Sequence, residues 1–501
     1  MAFFMGIDVG TSSVKTLLTD EYGRTAAIAQ REYDVSKPNA LFAEQDMRLI
    51  WEKTKETICE ITGGLGSRTG EIAGVSFSAQ MHGLVMTDRN GELLGNAIIW
   101  CDQRAARQTE EIYERIGEQK YKELTLNDLS SGFLLTSLLW VKEERQDLYE
   151  KIGKVMLPKD YIRYLMCGEI ATDYSDASAT LMFDTRKGEW AWEIADQFGM
   201  EHDIFPECHE SHERAGVITK SCAMETGLPE GTPVLYGGGD SIMQQIGNGV
   251  ISEKSPWIAN IGTSCSVNCA AERPVYDRLF RVNTFCHAKK NMWFWMGANL
   301  CGGASLKWLK NNILYMGSYD EMSALASQVP AGSNGLLFLP YLSGSRSPVN
   351  DPDAQGLFLG LTLSHDRSHM TRSVMEGIIL GMKTTFQIFE ESGIRTETMI
   401  ASGGGARSDV FLQMEADIFD RPIYIADNQE QSCLGATITA AVGTGVYGNY
   451  QEACAKMVRL KEKVVMPDAK NHARYQESYE IYRELYHTNC ELFRENRKFI
   501  D

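Results

Sequence analysis

Ile7-Asp8-Val9-Gly10-Thr11-Ser12, near the start of the chain, resembles Ala259-Asn260-Ile261-Gly262-Thr263-Ser264, about half the chain further on. Both segments follow apolar stretches typical of β-strands, and both end in a Gly-Thr loop. Such a loop exposes backbone N–H groups and hydroxyl donors that suit phosphate oxygens. The repeat therefore predicts a duplicated domain whose two loops hold one polyphosphate from both sides, although turns rich in Gly and Thr also recur by chance.

Outward from the first loop, strand and helix patterns alternate. Phe3–Ile7, Val14–Thr19, Thr25–Tyr33 and Gly74–Ser78 are predicted strands, and apolar residues at helical spacing predict a helix over Met47–Thr62. This alternation indicates an α/β architecture. Further on, Asp88-Arg89-Asn90-Gly91 predicts a hairpin between strands Val85–Thr87 and Leu93–Ile99.

The flexible segment Gly247-Asn248-Gly249, just before the second loop, predicts a domain boundary near Gly249–Ser255. We therefore expect one domain over residues 1–250 and another over residues 251–501. Aromatic and apolar residues at helical spacing near the end of the chain predict a final helix that packs on the second domain: Tyr475, Tyr479, Tyr482, Leu485 and Tyr486.

Composition narrows the functional classes. A chain of 501 residues can form two or three domains, and its net charge of -18 disfavours nucleic acid and anionic membranes as partners. The N-terminus lacks the pattern of a signal peptide, and the sequence has no apolar run of about 18 residues. Together with 12 cysteines in no regular framework, these features predict a cytoplasmic protein with reduced thiols.

Glycine runs replace the common nucleotide motifs. The chain has neither a GxxxxGK[ST] loop nor a strand-linked GxGxxG, but Gly237-Gly238-Gly239-Asp240 and Gly403-Gly404-Gly405 each follow an apolar segment. An Asp after three glycines is most often a turn residue. Together with Asp8, however, Asp240 offers the carboxylates that phosphoryl transfer needs, for Mg²⁺ and for the attacking hydroxyl.

Polar and aromatic side chains follow two further predicted strands. Gln80-Met81-His82-Gly83 and Trp100-Cys101-Asp102-Gln103-Arg104 combine an indole face with directional hydrogen-bonding groups, as a sugar site requires. The second segment is equally typical of a helix start in which Asp102 is the N-cap and Trp100 a core residue.

In this order, these segments resemble the FGGY carbohydrate kinases from about Met5 to Tyr447, and within that family they are most similar to the xylulokinases. The stretches that carry the resemblance are Ser78–Gly83, Pro158–Tyr161, Ala171–Ser178, Gly237–Asp240, Leu339–Gly344 and Gly356–Leu361, the last followed by His369-Met370, Ser373 and Glu376. The resemblance implies two ribonuclease H-like, actin-type ATPase domains with a catalytic cleft between them. It also implies ATP and Mg²⁺ as cofactors, a small sugar as substrate and a possible homodimer.

The resemblance also implies a role for each matching position. Asp240 is the expected catalytic base, and Asp8 with Asp240 the expected Mg²⁺ ligands. The expected sugar contacts are Gln80, Met81, His82, Trp100, Asp102, Asp240 and Ser241. The expected ATP contacts are Gly10, Thr11, Ser12 and Lys15 at the first loop, Gly262 and Thr263 at the second loop, and Gly303, Trp308, Gly404 and Ser408 around the nucleoside.

D-Xylulose is the expected acceptor, although the chain departs from the xylulokinase pattern. Ser241 stands where Asn is usual, Cys101 replaces the Asn of Trp-Asn-Asp, and Leu134 and Ser137 interrupt the first family signature. L-Xylulose, ribulose, a pentitol and gluconate stay open as acceptors. An actin- or Hsp70-like ATPase and a catalytically silent sugar sensor are the alternatives from other classes.

Overall fold

The computed structural model describes residues 2–499, which form two α/β halves, each built around a mixed sheet. The strands of the first sheet, in spatial order, are Arg214–Val217, Pro233–Leu235, Ile72–Ala79, Phe3–Val9, Ser13–Asp20 and Thr25–Glu32, and Gly238–Gly239 also pairs with Ile72–Ala79. The strands of the second sheet are Asn283–Cys286, Trp293–Asn299, Cys265–Ala271, Trp257–Ile261, Met399–Gly403 and Ile423–Ile425.

The two sheets share one topology. In the first sheet, Phe3–Val9 pairs antiparallel with the next strand in sequence and parallel with Ile72–Ala79. In the second sheet, Trp257–Ile261 likewise pairs antiparallel with the strand that follows it and parallel with Met399–Gly403. The repeated sequence segment thus occupies the first strand of each sheet. The predicted fold, two ribonuclease H-like domains of the actin type, is confirmed.

The predicted elements near the first loop are confirmed with small extensions, except that the predicted strand Thr25–Tyr33 ends at Glu32, and the helix runs over Met47–Leu65. The predicted hairpin is present: the Asp88 N–H donates to the Glu92 carbonyl oxygen at 2.8 Å, and antiparallel bridges join Thr87 to Leu93 and Leu84 to Ile98. Its second strand is shorter than predicted, and the longer ladders form with other partners. Val85–Thr87 pairs with Lys154–Met156, and Ala97–Ile98 pairs with Glu44–Gln45.

Helices cover both sheets. In the first half they are Met47–Leu65, Ala106–Ile116, Glu118–Thr125, Leu134–Glu144, Gln146–Tyr149, Pro158–Cys167, Tyr174–Ser178, Trp192–Gln197, Lys220–Thr226 and Asp240–Gly247. In the second half they are Gly303–Trp308, Tyr319–Ala326, Arg367–Glu391, Asp409–Phe419, Gln431–Gly443, Tyr450–Met457 and Ala469–Arg497. The other short strands are Ala171–Asp173 with Glu207–His209, Phe183–Asp184 with Glu189–Trp190, and Leu337–Leu339 with Leu357–Leu359.

The final helix, Ala469–Arg497, lies on the second half as predicted, with Tyr475, Tyr479, Tyr482 and Leu485 buried in the core that surrounds Trp257 and Trp295. Within residues 2–499, no helix combines the length and the apolar character that crossing a membrane requires.

Two helices join the halves. Gln431–Gly443 follows the second sheet in sequence, yet it packs on strands Phe3–Val9 and Ile72–Ala79 of the first sheet and crosses helix Asp240–Gly247. Glycine permits this close crossing, because a Cβ atom on Gly435 would collide with the carbonyl oxygen of Met243. The helix that begins at Asp240 is therefore fixed in position by both halves of the chain.

Candidate active site

The first Gly-Thr loop turns its carbonyl groups toward the protein. The Tyr33 hydroxyl donates to the Gly10 carbonyl oxygen at 2.6 Å, and the Tyr33 backbone N–H donates to that of Ser12 at 3.0 Å. The Gln45 side-chain amide donates to the Thr11 carbonyl oxygen at 2.6 Å. All three carbonyl oxygens of the loop are thus satisfied by protein donors.

The second loop is held in the same manner by the chain that follows it. The backbone N–H of Gly303 donates to the Gly262 carbonyl oxygen at 2.8 Å, and that of Gly302 donates to the Thr263 carbonyl oxygen at 3.0 Å. Gly262 donates to the Ser264 carbonyl oxygen at 2.9 Å. A Cβ atom on Gly303 would lie 2.5 Å from the Gly262 carbonyl oxygen, so the close approach of the two segments requires glycine.

The remaining backbone N–H groups of the two loops are available to a ligand. Within residues 2–499, the N–H groups of Thr11, Ser12, Thr263 and Ser264 have no acceptor on the protein. A loop with satisfied carbonyls and free N–H groups carries a net positive dipole, which favours an anion. The two loops therefore have the chemistry of phosphate-binding loops.

Asp8 and Asp240 lie on either side of the strand that ends at Ala79. Asp8 is opposite Ser78 in the parallel register, and Gly239, directly before Asp240, is opposite Ala79. The Ser78 hydroxyl donates to the Asp8 carboxylate at 2.7 Å. Two carboxyl groups thus meet at one edge of the first sheet, and hard oxygen donors of this kind suit Mg²⁺.

Burial sets the ionisation of this pair. Burial, and secondly the negative charge of Asp8, raise the pKa of Asp240 to about 7, against the weaker effect of hydrogen bonds from Ser241. The Ser241 hydroxyl lies 3.2 Å from the Asp240 carboxylate and 3.5 Å from the sulfur of Met296, which belongs to the second sheet. Asp240 is therefore a carboxyl group that changes charge near neutral pH, as a general base does.

Two of the predicted sugar contacts, Met81 and His82, lie beside the glycine run. A Cβ atom on Gly239 would be 2.6 Å from Cγ of Met81. The His82 ring stacks on Phe133 with 3.7 Å between ring centroids, and its Nδ1 is 2.7 Å from the Ala179 carbonyl oxygen. Burial lowers the pKa of His82 to about 3, so the ring is neutral. Nδ1 then donates to Ala179, and Nε2 remains an acceptor for a ligand hydroxyl.

Gln80 and Trp100 both reach the first loop. The Trp100 indole N–H donates to the Thr11 hydroxyl at 2.9 Å, and that hydroxyl donates to the Gln80 side-chain oxygen at 3.2 Å. The Gln80 amide nitrogen donates to Gln45 at 2.5 Å. Both ends of the Gln80 amide are thus engaged with protein, and the Trp100 ring connects the predicted sugar side to the predicted phosphate loop.

Asp102 forms a buried ion pair with Arg104. Its carboxylate accepts two bonds from Arg104 Nε and one from Arg104 Nη2, at 2.8–3.0 Å, and one from the Ala43 backbone at 2.6 Å. The alternative in which Asp102 caps a helix is wrong, because the next helix begins at Ala106 with Ala105 as its N-cap. With these oxygens occupied, Asp102 fixes the segment that carries Trp100.

The predicted nucleoside contacts lie in the second half. Gly404 begins a short 3-10 helix directly after strand Met399–Gly403, and Ser408 caps the next helix with its hydroxyl 3.0 Å from that of Ser323. Trp308 stacks on Phe338 with 6.4 Å between ring centroids.

Ser12 and Lys15, predicted to contact ATP, differ in their surroundings. The side chain of Ser12 is exposed next to the first loop. Lys15 Nζ forms an ion pair with Glu430 at 2.6 Å, which links the first sheet to the loop before helix Gln431–Gly443. In this structure Lys15 therefore joins the two halves of the chain.

Sequence reasoning missed a buried charge cluster behind the glycine run. Lys159 Nζ contacts Asp160 at 2.7 Å, Asp173 at 2.9 Å and Asp176 at 3.0 Å, and Arg163 contacts Asp160 at 2.7 Å. The side chains of all five residues are completely buried. Burial raises the pKa of Asp176 to about 8, so a proton on Asp176 leaves two cations facing two anions.

The cluster adjoins the catalytic candidate. A Cβ atom on Gly239 would lie 3.2 Å from Oδ1 of Asp176. The Gly239 backbone N–H donates to the Ser175 hydroxyl at 3.2 Å, and that hydroxyl donates to Asp173 at 2.6 Å. Asp173 also accepts a bond from the Ser211 hydroxyl at 2.8 Å. The cluster therefore supports the backbone that presents Asp240. In the sequence, Pro158–Tyr161 and Ala171–Ser178 stand out only through the family resemblance, because nothing in their spacing shows that the charges pair.

Family models match most of the chain. The model of the FGGY family of carbohydrate kinases, N-terminal domain, matches residues 3–247, and that of the C-terminal domain matches residues 258–444. Xylulose kinase of Bacillus subtilis is 35% identical over 99% of this chain and 100% of its own length. Gluconokinase of the same organism is 30% identical over 91% of this chain and 90% of its own length.

Solved structures show the same two substrate names. Gluconate kinase from Lactobacillus acidophilus matches with a TM-score of 0.93 at 27% identity, over 99% of both chains. Ligand-bound xylulose kinase from Lactobacillus acidophilus matches with a TM-score of 0.93 at 26% identity, over 99% of this chain and 100% of the other.

Proposed function

Because the chain belongs to the FGGY family of carbohydrate kinases and is a sugar kinase, we propose that it phosphorylates D-xylulose to D-xylulose 5-phosphate with ATP. The observation that carries this proposal is the pairing of two phosphate-type loops with the Asp8 and Asp240 carboxyl groups. The xylulose kinase relative, which matches over the whole chain, supports the choice of sugar.

In the proposed reaction, Asp240 orients the terminal hydroxyl of the sugar and accepts its proton as that oxygen attacks the γ-phosphorus of ATP. The pKa of Asp240, raised to about 7, matches a base that must be ionised before the reaction and protonated after it. The bond from the γ-phosphorus to the bridging oxygen breaks, and ADP carries away the negative charge. The free N–H groups of Thr11 and Thr263 donate to phosphate oxygens.

Asp8 and Asp240 would hold Mg²⁺. Their two half-buried carboxyl groups at one sheet edge have the oxygen chemistry that this ion requires, and the ion would offset the charge of the phosphates when bound. The nucleoside would lie near Gly404, Ser408, Gly303 and Trp308.

Gluconate is the second candidate acceptor, because the surroundings of Arg346 suit a carboxylate. Arg346 of the second half lies beside Trp100, and within residues 2–499 no carboxylate is close enough to pair with its guanidinium. A carboxylate on the acceptor would supply that partner. The gluconokinase relative at 30% identity supports the same alternative.

The test is ADP release with Mg-ATP and each of D-xylulose, L-xylulose, ribulose, a pentitol and gluconate, with an acceptor-free reaction as the background. We expect D-xylulose to give the highest kcat/KM. Asp240→Asn should lose about a hundredfold to ten-thousandfold in kcat, since it removes the base. Asp147→Asn, at an exposed ion pair with Arg145, is the matched control and should keep wild-type turnover. Equal ADP release without acceptor would contradict the proposal.

A further inference from the structure

We propose that Arg346 is a substrate-binding residue, which the second half of the chain contributes to the sugar site. It donates to oxygen atoms at the end of the acceptor that is not phosphorylated, and so helps to set the acceptor class. The inference rests on the proposed function, and its test is chosen so that the two can fail separately.

The guanidinium of Arg346 lies among the predicted sugar contacts. Its central carbon is 5.2 Å from the centroid of the Trp100 ring and 5.9 Å from that of Phe133. Phe133 in turn stacks on His82. These aromatic residues belong to the first half of the chain, whereas Arg346 comes from the second, so the contact crosses between the halves.

Most of the Arg346 hydrogen-bonding capacity is unused. A guanidinium has five N–H donors. Within residues 2–499, the one acceptor that Arg346 reaches is the Trp100 carbonyl oxygen, at the long distance of 3.4 Å. Arg346 is half-buried, so a ligand that supplies oxygen atoms would replace solvent at its remaining donors with charge-assisted hydrogen bonds. The guanidinium is therefore available to bind an acceptor.

The loop that carries Arg346 is well anchored. Ser345 and Asp351 exchange backbone hydrogen bonds at 2.9 Å in both directions, and the Ser347 N–H donates to Ala298 of the second sheet at 3.1 Å. The Tyr486 hydroxyl donates to Asp351 at 2.6 Å. A loop held at three points can present a side chain in a defined direction.

Arg346 meets a different part of the acceptor from Asp240. The guanidinium of Arg346 lies beside the Trp100 and Phe133 rings, whereas the Asp240 carboxylate lies beside the Ser241 hydroxyl, which in turn faces Met296. In the proposed reaction, the hydroxyl that is phosphorylated lies at Asp240, which accepts its proton. Arg346 is thus placed for the far end of the molecule, which is the C1 hydroxyl and C2 carbonyl of a 2-ketopentose, or the carboxylate of an aldonate.

The test compares Arg346→Met and Arg346→Lys with the wild type, on D-xylulose and on 1-deoxy-D-xylulose, which lacks the C1 hydroxyl. We expect Arg346→Met to raise the KM for D-xylulose at least about tenfold, because a charge-assisted hydrogen bond is lost. The KM for ATP should change less than about threefold. Arg346→Lys keeps the positive charge but loses the planar, forked set of N–H donors. Its KM for D-xylulose should therefore lie between those of the wild type and Arg346→Met. Arg68→Met, at an exposed ion pair with Glu71, is the matched control and should leave both KM values unchanged.

The deoxy acceptor distinguishes binding from a purely structural contact between the halves. If Arg346 binds the substrate, the rise in KM caused by Arg346→Met should be at least about threefold smaller with 1-deoxy-D-xylulose than with D-xylulose. An equal loss with both acceptors, or a fall in kcat with unchanged KM, would overturn the proposal. Thermal unfolding of each variant identifies one that does not fold, and Arg346→Lys then carries the comparison.

The wild-type enzyme separates this inference from the proposed function. If gluconate is the acceptor and D-xylulose is not, the proposed sugar is wrong, and the same variants are measured on gluconate. Arg346→Met must then raise the KM for gluconate about a hundredfold, since the carboxylate loses its cation. An unchanged KM for gluconate would overturn the role of Arg346.

Discussion

The carboxyl group of Asp240 is subject to opposing influences on its ionisation. Burial and the negative charge of Asp8 favour the protonated form, whereas the hydrogen bonds from Ser241 favour the charged form, and the balance gives a pKa of about 7. A single side chain at position 241 can therefore adjust the working pH of the base. Asn, the residue usual in xylulokinase-like sequences, would adjust it through an amide.

The pH dependence of catalysis follows from this balance. A base with a raised pKa is protonated, and therefore inactive, below that value, so kcat/KM should fall about tenfold per pH unit below about 7 and level off above it. In Ser241→Ala the donor is lost, the pKa of Asp240 rises further, and the acid limb should move to higher pH. Initial rates from pH 5.5 to 8.5 at constant ionic strength measure both effects, and an acid limb that moves to lower pH in Ser241→Ala would contradict the assignment.

At the scale of elements, the cluster around Lys159 should be essential for stability, although it touches no substrate. Lys159→Met leaves Asp173 buried without its cation and Asp160 with Arg163 alone, so we expect a loss of about 3–5 kcal/mol in the free energy of unfolding. Urea denaturation followed by tryptophan fluorescence measures it. A midpoint equal to that of the wild type would show that the cluster is not stabilising.

Replacement of Asp176 should change the stability of the protein less than replacement of Asp173 in the same cluster. Because its pKa is raised to about 8, Asp176 is largely protonated at neutral pH, and Asn resembles a protonated carboxyl group in shape. Asp176→Asn should therefore change the free energy of unfolding by less than about 1 kcal/mol, whereas Asp173→Asn removes an acceptor of Lys159, Ser175 and Ser211 and should cost more. The reverse order of the two variants would contradict the presence of a proton on Asp176.

The crossing of the two connecting helices gives a second test at this scale. Gly435→Ala places a Cβ against the Met243 carbonyl oxygen, so we expect a loss of about 1–3 kcal/mol through overpacking. Gly63→Ala, in helix Met47–Leu65 with open space around the new Cβ, is the matched control and should stabilise by about 0.5–1 kcal/mol. If both variants change the free energy of unfolding equally in urea denaturation, the two helices can move apart at Gly435 without a loss of stability.

Prediction from the sequence succeeded where the signal was local. The strands around the Gly-Thr loops follow from apolar runs broken by glycine, and the duplicated fold follows from the repeat of one such loop. The partner of Val85–Thr87 could not be predicted, because Lys154–Met156 is far away in sequence and pairing is decided by packing.

The same reasoning applies to the site. Asp8, Asp240, Met81 and His82 could be proposed from the sequence because each stands next to a glycine or at a strand end. The Lys159 cluster was missed because charged residues are expected at the surface. Arg346 was missed because it lies in a loop of the other half, and only the folded chain brings it to Trp100.

At the scale of the whole molecule, the proposed site draws on both halves of the chain. In it, the first half provides Asp8, Asp240, His82 and Trp100, and the second half provides the second loop and Arg346. Ser241 with Met296 and Lys15 with Glu430 are further contacts between the halves. A sugar and ATP bound between the halves would therefore be held by residues of both, which is the arrangement that excludes water from phosphoryl transfer.

The most direct test of the central claim is a competition in one vessel. The protein receives equimolar D-xylulose, D-ribulose and D-gluconate with less Mg-ATP than any one acceptor, and the products are identified by phosphorus NMR. The product ratio then reports the ratio of kcat/KM values. The account predicts D-xylulose 5-phosphate as the main product. Phosphogluconate or ribulose phosphate as the main product, or inorganic phosphate alone, would contradict it.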